Sequence, residues 1–250
     1  GYKFEAKTKV VTPTIQVSNP LFNMVGASSM LVNFTKGNGT NRLVLAKEGA
    51  PVNATPTDLN GYLANSNFGN GDVIGDGNYV VYNDTGEEFN LTNLNHSTEY
   101  HFAFLEYALD EDGALYFTPS LAANQVMPSI PTFAATNYRV SPPCTPDVIV
   151  EWTVSDADGS FVIVSEQPLD ASPVNSTKYT ALFDYGLGDA IGNGFLVFKG
   201  SGDLVPINKL LENKNYYVNI FEFNGTEDDP LFNITPLTGI IGDIIPPTTI

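Results

Sequence analysis

The sequence predicts an all-β protein built from two tandem sandwich units. Glycine (22) and proline (17) interrupt the chain every few residues, and only 16% of the 250 residues are charged, which is typical of short strands joined by turns. Alternating apolar and polar runs recur, whereas long stretches with the i, i+3, i+4 spacing of a helix do not. The pattern of runs also repeats along the chain, which indicates two copies of one unit.

The clearest strands of the first half are four short runs bounded by Gly, Pro, Asn or Asp. They cover residues 30–35, 42–46, 79–82 and 100–105. Short runs bounded by such turn residues are expected as the strands of a sandwich or barrel.

The internal repeat becomes visible when the second half is shifted back by 118 residues. Residues 31–35 then fall on residues 149–153 with the same apolar pattern. After two single-residue deletions, residues 79–82 fall on residues 195–198. Most of each half aligns in this way, so the two halves are predicted to share one fold.

A Pro-Thr pair marks the edges of the units. It stands at Pro13, Pro131 and Pro247, in steps of 118 and 116 residues. We therefore interpret the chain as part of a longer tandem array, whose partners are neighbouring repeats of the same chain. The predicted divisions are the end of a preceding repeat at 1–12, repeat 1 at 13–128, repeat 2 at 129–245 and the start of a following repeat at 246–250.

The charge balance excludes several kinds of partner. A net charge of −17 would repel nucleic-acid phosphates and anionic lipid headgroups. No apolar run approaches the roughly 18 to 20 residues of a membrane helix. We therefore expect no nucleic-acid partner and no membrane insertion.

Few residues are suited to catalysis. Cys144 is the single cysteine, and the two histidines, His96 and His101, fall at a loop corner and at a strand position expected to face solvent. Glu106 and Glu222 lie in apolar runs at equivalent positions, where we expect them to bind loop amides. The sequence therefore predicts a protein that is not an enzyme and has no catalytic residues.

Two aromatic patterns identify the sandwich type. On the second strand of each unit, Trp152 stands two residues after Val150, and Phe34, a weaker match, stands two residues after Val32, where a core residue is expected. Tyr100 and Tyr216 each follow a leucine by six residues and open an alternating strand. This spacing resembles the tyrosine corner of immunoglobulin-like domains, in which the hydroxyl bonds back to the chain just upstream. Each unit is therefore similar to a fibronectin type III-like sandwich.

A narrower resemblance concerns the loops of the first unit. Residues 37–46, 65–69 and 75–83 resemble repeats common in secreted proteins of Bacteroidota. In the second unit, residues 156–159 replace the Gly-Asn-Gly turn, so the likeness is weaker there. The resemblance implies a large, multi-domain protein exported to the cell surface, often through a type IX system, and hence an extracellular or cell-surface location.

Each unit has an enlarged region between its strands C and C′. Tyr62 and Phe68 in the first unit, and Tyr179 and Tyr185 in the second, are candidate ligand contacts in this region. The alternative, which we favour, is a flap that covers one face of a sheet. The glycine turns of the same region lack the Lys of a phosphate-binding loop and lead into a strand, so they are interpreted as shaped turns.

Acidic loops are the candidate metal sites. Asp156 and Asp158 stand at alternate positions beside a glycine, and Asp110 and Asp112 lie in the predicted F to G loop, where residues 227–229 are the equivalent. Carboxylate oxygens at such spacing can bind Ca²⁺, yet no complete calcium-loop motif is present. We expect solvated loop tips and no cofactor, with calcium as the alternative.

The repeats, together with the resemblance to repeats of exported proteins, predict a non-enzymatic extracellular segment with a structural or adhesive role in a larger surface or fibre protein. The alternatives are a carbohydrate-binding accessory module of an exported enzyme and a virion or filament surface decoration protein. Beyond its neighbouring repeats, the expected partners are a surface polysaccharide or another surface or fibre protein.

Overall fold

A computed structural model describes residues 10–141 and 148–242, which divide into two compact units between Met127 and Pro128. The segment predicted to end a preceding repeat lies outside the described residues except for residues 10–12. The segment predicted to begin a following repeat, and Cys144, lie wholly outside them. The described residues form strands and turns without a helix, which confirms the all-β class. None of them therefore forms a helix long and apolar enough to cross a membrane.

Unit 1 contains two antiparallel sheets. The smaller has the order β1-β2-β6, and the larger has the order β4-β5-β3-β7-β8, with β9 also paired to β7. The strands are β1 (Ser18–Asn23), β2 (Met30–Thr35), β3 (Asn41–Glu48), β4 (Val73–Ile74), β5 (Asn78–Asp84), β6 (Glu88–Leu91), β7 (Glu99–Asp110), β8 (Gly113–Tyr116) and β9 (Leu121–Val126).

Unit 2 repeats this topology strand by strand. Its smaller sheet has the order β10-β11-β15, and its larger sheet has the order β13-β14-β12-β16-β17, with β18 paired to β16. The strands are β10 (Thr136–Val140), β11 (Val148–Thr153), β12 (Gly159–Ser165), β13 (Ala190–Ile191), β14 (Gly194–Gly200), β15 (Leu204–Ile207), β16 (Tyr216–Thr226), β17 (Asp229–Phe232) and β18 (Leu237–Ile241).

The main core of each unit lies between its two sheets. Alternate residues of each strand point inward, so one face of each sheet contributes. In unit 1 the core includes Val32, Phe34, Val44, Phe102 and Phe104. In unit 2 it includes Val150, Trp152, Val162, Val218 and Ile220.

A second, smaller core covers the opposite face of each larger sheet. The central strand β12 is buried along its whole length, and β3 is buried at five consecutive positions. A strand that is apolar on both faces needs cover on both faces. The second core of unit 1 includes Leu43, Leu45, Val80 and Leu105, and that of unit 2 includes Phe161, Ile163, Leu196 and Phe221.

Candidate functional site

The enlarged region of each unit is a flap on the outer face of the larger sheet. We define the flaps as residues 49–77 in unit 1 and 166–193 in unit 2. Val52, Tyr62 and Ile74 of the first flap pack on the second core of unit 1. Leu169, Tyr179 and Ala181 of the second flap do the same in unit 2. The flaps therefore provide the cover that the apolar outer faces require.

Matching backbone hydrogen bonds hold the two flaps in place. The Asn65 N–H donates to the Val80 carbonyl at 3.1 Å, and the Leu182 N–H donates to the Leu196 carbonyl at 3.3 Å. A Cβ at Gly71 would collide with the same Val80 carbonyl oxygen, and one at Gly188 with that of Leu196. Glycine is needed at both positions because the flap backbone passes directly over the strand.

Two of the candidate ligand contacts are flap residues that pack on the second core of their unit. Tyr62 is half-buried with its ring 6.1 Å from that of Tyr116, and its hydroxyl accepts the Thr57 N–H at 3.0 Å. Tyr179 is also half-buried, and its hydroxyl accepts the Val174 N–H at 3.1 Å. Both tyrosines thus tie their own flap together, and ligand contact by them stays a prediction.

The other two candidates anchor the far end of each flap. Phe68 is buried, with its ring 5.0 Å from Tyr100 and 5.1 Å from Tyr79. Its assignment as a ligand contact is therefore corrected, because the ring closes the main core. Tyr185 occupies the equivalent position 5.0 Å from Tyr216 and is half-buried. Desolvation, with smaller contributions from Glu166 and Tyr216, raises the pKa of Tyr185 to about 12.

The flap tip of unit 2 carries exposed apolar side chains that the sequence reasoning missed. Leu182, Phe183 and Leu187 are exposed by 45%, 49% and 57%. Together with Asp184 and Asn208 they line an open groove of about 210 Å³. The internal alignment could have revealed these residues, because unit 1 has polar residues at the three positions equivalent to them.

Buried carboxylates hold the loop between the second and third strands of each unit. Glu106 is fully buried and accepts the N–H groups of Gly37 at 2.7 Å and Gly39 at 2.8 Å. Its third partner is the buried Arg42, whose Nε lies 3.0 Å from the carboxylate. Arg42 also donates to the Thr85 carbonyl. The acid therefore has a cation and two amides in place of water.

Glu222 has the same role with a different partner. It is fully buried and accepts the Ser155 N–H at 2.8 Å, and the Ser155 hydroxyl donates to its other oxygen. Both glutamates thus bind loop amides, as the sequence predicted. Both carboxylates are fully buried and are occupied by loop amides, so the geometry favours loop support over proton transfer to a substrate.

Tyrosine corners are present in both units. Tyr100 and Tyr216 are fully buried. Their hydroxyls accept the N–H groups of Asn95 and Leu211, each at 2.9 Å. Each bond spans five residues and fixes the loop that enters the long strand, which is the arrangement that the leucine-to-tyrosine spacing predicted.

The candidate calcium residues of unit 2 bind backbone amides. Asp156 accepts the N–H groups of Thr132 at 3.1 Å and Phe133 at 3.3 Å. Asp158 accepts the Gly225 N–H at 2.8 Å. Desolvation opposes ionisation of Asp156, but hydrogen bonds from Thr132, Phe133 and Ser155 outweigh it and lower its pKa to about 2. Calcium binding here stays a prediction.

The acidic hairpin of unit 1 gives no clearer metal site. Asp112 follows the end of β7, and the side chain of Asp110 lies outside the described part of the structure. In the equivalent hairpin of unit 2, Asp228 forms ion pairs with Lys178 at 2.5 Å and Lys199 at 3.1 Å. Within residues 10–141 and 148–242, no group of three or more His, Cys, Asp or Glu side chains could hold a metal ion.

The two histidines differ in exposure. His96 is exposed, with Nδ1 3.2 Å from the Ser97 hydroxyl. His101 was expected to face solvent, but its side chain is only 17% exposed and lies 3.3 Å from the Glu99 carboxylate. The difference arises because β9 pairs beside β7 and flanks this position.

Searches against protein-family models and against curated proteins gave no match. Among solved structures, a two-domain fibronectin type III segment of chicken tenascin is 14% identical, with a TM-score of 0.30, and the match covers 92% of this chain and 98% of that segment. The FN1–FN3 domains of chicken CNTN1 are 13% identical, with a TM-score of 0.43, covering 94% of this chain and 70% of that one. The central fibronectin-III array of RIM-binding protein is 6% identical, with a TM-score of 0.28, covering 92% and 68%. The described residues form two tandem antiparallel β-sandwiches of the same topology, each with a tyrosine corner.

Proposed function

We propose that this chain is a non-enzymatic structural and adhesive segment of an extracellular repeat array. One observation carries the proposal: the polar groups that recur in both units hold loops in place. Glu106 and Glu222 bind loop amides, and Tyr100 and Tyr216 close corners. A catalytic site would normally appear as a polar constellation in a pocket of one unit. Because the recurring carboxylates and tyrosine hydroxyls are all hydrogen-bonded to loop amides, they favour a structural role over a catalytic one.

The finer parts of the proposal rest on the sequence. An acidic surface of net charge −17 keeps a repeat array soluble in an open medium. The likeness of residues 37–46 and 75–83 to repeats of exported Bacteroidota proteins supports a cell-surface location and export through a type IX system. A carbohydrate-binding accessory module or a virion decoration protein could have the same fold. Mechanical and binding experiments are therefore needed to distinguish these two functions from the array role.

Force spectroscopy tests the array role. Pulled by its two ends, the chain should unfold in two separate events, because each unit has its own core. One repeat step is 118 residues, so each event should release about 35 to 40 nm of chain. A Trp152→Ala variant should lower the unfolding force of one event and leave the other unchanged.

Two results would argue against the proposal. A single event that releases both lengths together would mean that the units are not modular. Sustained hydrolysis of any member of a glycan, peptide and ester panel, abolished by Glu106→Gln or Glu222→Gln, would mean that a buried carboxylate is catalytic.

A further inference from the structure

We propose that the flap tip of unit 2 docks a polypeptide segment that presents an apolar anchor side chain flanked by lysine or arginine. The inference rests on the adhesive part of the proposed function, to which it gives a contact surface. The surface, here called the tip groove, is formed by Leu182, Phe183, Asp184, Leu187 and Asn208.

The fold does not need apolar residues at the tip groove. In unit 1 the positions equivalent to Leu182, Phe183 and Leu187 are Asn65, Ser66 and Asn70. The backbone is nevertheless the same: the Phe68 N–H donates to the Thr92 carbonyl at 2.9 Å, and the Tyr185 N–H donates to the Asn208 carbonyl at 3.0 Å. Three adjacent exposed apolar side chains that the fold can replace with polar ones indicate a contact surface.

The tip groove is held rigid before any partner arrives. The Leu187 N–H donates to the Asp184 carbonyl at 3.2 Å, and the Asn208 N–H donates to the Phe183 carbonyl at 2.8 Å. The Asp184 carboxylate accepts the Asn208 amide at 2.9 Å and pairs with Lys209 at 2.7 Å. A preformed surface loses little conformational entropy on binding, so even a small apolar contact contributes to affinity.

The shape and charge of the groove select the occupant. A groove of about 210 Å³ between two leucines and a phenylalanine accommodates one apolar side chain and not an extended surface. The second flap contains four acids, Glu166, Asp170, Asp184 and Asp189, against the single base Lys178. Lys178 is paired with Asp228, but Glu166 is paired with Lys214 and Asp184 with Lys209. The net negative charge of the flap therefore comes from Asp170 and Asp189, which accept backbone N–H groups. Basic flanks on the anchor complement this surface, whereas acidic flanks, or a second copy of this chain, would be repelled.

A peptide titration on the whole chain tests the proposal. The probe is a fluorescein-labelled peptide of sequence Lys-Ser-Lys-Leu-Phe-Lys-Ser-Lys, followed by fluorescence anisotropy at low salt and by amide chemical shifts. The shifts should concentrate at residues 182–187 and 208. The variant Leu182→Asn/Phe183→Ser/Leu187→Asn carries the residues of unit 1 and should weaken binding on the order of tenfold or more.

Matched controls separate the groove from charge and folding. Ile234, in the loop between β17 and β18, is exposed by 69%, so Ile234→Ser removes an apolar residue that is more exposed than those of the groove and should leave binding unchanged. Two further peptides keep the length, one with glutamate in place of every lysine and one with serine in place of Leu-Phe. Both should bind at least about tenfold more weakly than the probe. Unchanged thermal unfolding of the triple variant shows that it is folded.

Several outcomes would overturn the proposal. They are equal binding of the probe to wild type and triple variant, equal binding of the serine peptide, or equal binding of the glutamate peptide. Shifts at residues 182–187 caused by neutral oligosaccharides and not by the probe would identify a glycan site instead. The force experiment tests the array role and the peptide titration tests docking. Either proposal can therefore fail while the other is supported.

Discussion

The two units differ in the residues that occupy two equivalent buried positions, one on the second strand and one on the third. In unit 1 the second strand carries Phe34, and Arg42 is buried at the start of the third. In unit 2 the equivalent positions hold Trp152 and Ser160, and the indole N–H donates to the Ser160 hydroxyl at 3.0 Å. The unit with the larger aromatic therefore has a small hydroxyl residue at the second of these positions, and the unit with the smaller aromatic has a long cationic residue there.

The same exchange alters the environment of the loop-holding carboxylate. Glu106 is neutralised by Arg42, whereas the Glu222 carboxylate accepts the N–H and hydroxyl of Ser155 and has no cationic partner among the described residues. The position and function of the acid are constant, and its partner is not. The comparison teaches that this fold requires an acceptor for the loop amides, and that the compensation for its burial can differ between repeats.

The largest expected effect is that of Trp152→Ala. Truncation removes the centre of the unit 2 core and leaves the buried Ser160 hydroxyl without its donor, so it should cost about 3 to 5 kcal/mol of unit 2 stability. Phe34→Ala in unit 1 should cost about as much without any polar loss. Urea unfolding followed by circular dichroism measures both. A cost below about 1 kcal/mol for Trp152→Ala would contradict the assigned core position.

Much of the fold followed from the sequence because it depends on local patterns. The alternation of residues 30–35 and the spacing before Tyr100 are properties of a few neighbouring residues. The internal repeat shows the same patterns a second time, in unit 2. The pairing of Arg42 with Glu106 did not follow in the same way. The two residues are opposite each other only through the β3 to β7 register, 64 positions apart in the chain. A buried ion pair of this separation leaves no periodic signal.

The next effect compares the two carboxylates. Glu106→Gln should cost unit 1 about 3 kcal/mol or more, because it leaves the buried Arg42 charge without compensation. Glu222→Gln should cost unit 2 about 1 to 2 kcal/mol, because the glutamine oxygen still accepts the Ser155 N–H. Trp152 is the single tryptophan, so its fluorescence follows unit 2 alone while circular dichroism follows both units.

A double variant sharpens this comparison. Arg42→Ser combined with Glu106→Gln gives unit 1 the uncharged arrangement of unit 2, and it should recover part of the stability lost in Glu106→Gln alone. Equal costs for Glu106→Gln and Glu222→Gln, with no recovery in the double variant, would show that the ion pair is not what distinguishes the units.

The flaps show where sequence reasoning reaches its limit. Their aromatic residues were visible, but the side on which they face was not, because a loop without alternation does not specify a buried face. Phe68 points into the core, whereas Phe183, two residues before the equivalent Tyr185, is exposed. Only the path of the backbone, fixed by the close passage of Gly71 and Gly188 over a strand, decides between these orientations.

A smaller effect of opposite sign is expected at Tyr138. Its ring lies over Gly239, and among the described residues its hydroxyl is the buried side-chain group without a hydrogen-bond partner. Burial raises the pKa of Tyr138 to about 12. Tyr138→Phe should therefore stabilise unit 2 by about 0.5 to 1 kcal/mol. The control is Tyr216→Phe, which loses the bond from the Leu211 N–H and should destabilise by about 1 kcal/mol. Destabilisation by both would mean that Tyr138 has a partner in solution.

The smallest effect depends on pH and separates Asp156 from its unit 1 equivalent, Asn38. Both side chains accept two amides of the segment that opens their unit, Asn38 from Thr14 and Ile15, each at 2.9 Å. Only the aspartate titrates. Its pKa of about 2 in the folded unit lies below the ordinary value of 3.8, so its stabilisation is present above about pH 4 and is lost as the pH falls towards 2. Asp156→Asn should remove this part of the pH dependence and keep the hydrogen bonds. Urea unfolding of unit 2, followed by Trp152 fluorescence between pH 5 and 2, measures it. If the unfolding free energy of unit 2 falls with pH as steeply in the variant as in the wild type, the acid sensitivity of unit 2 arises from other carboxylates.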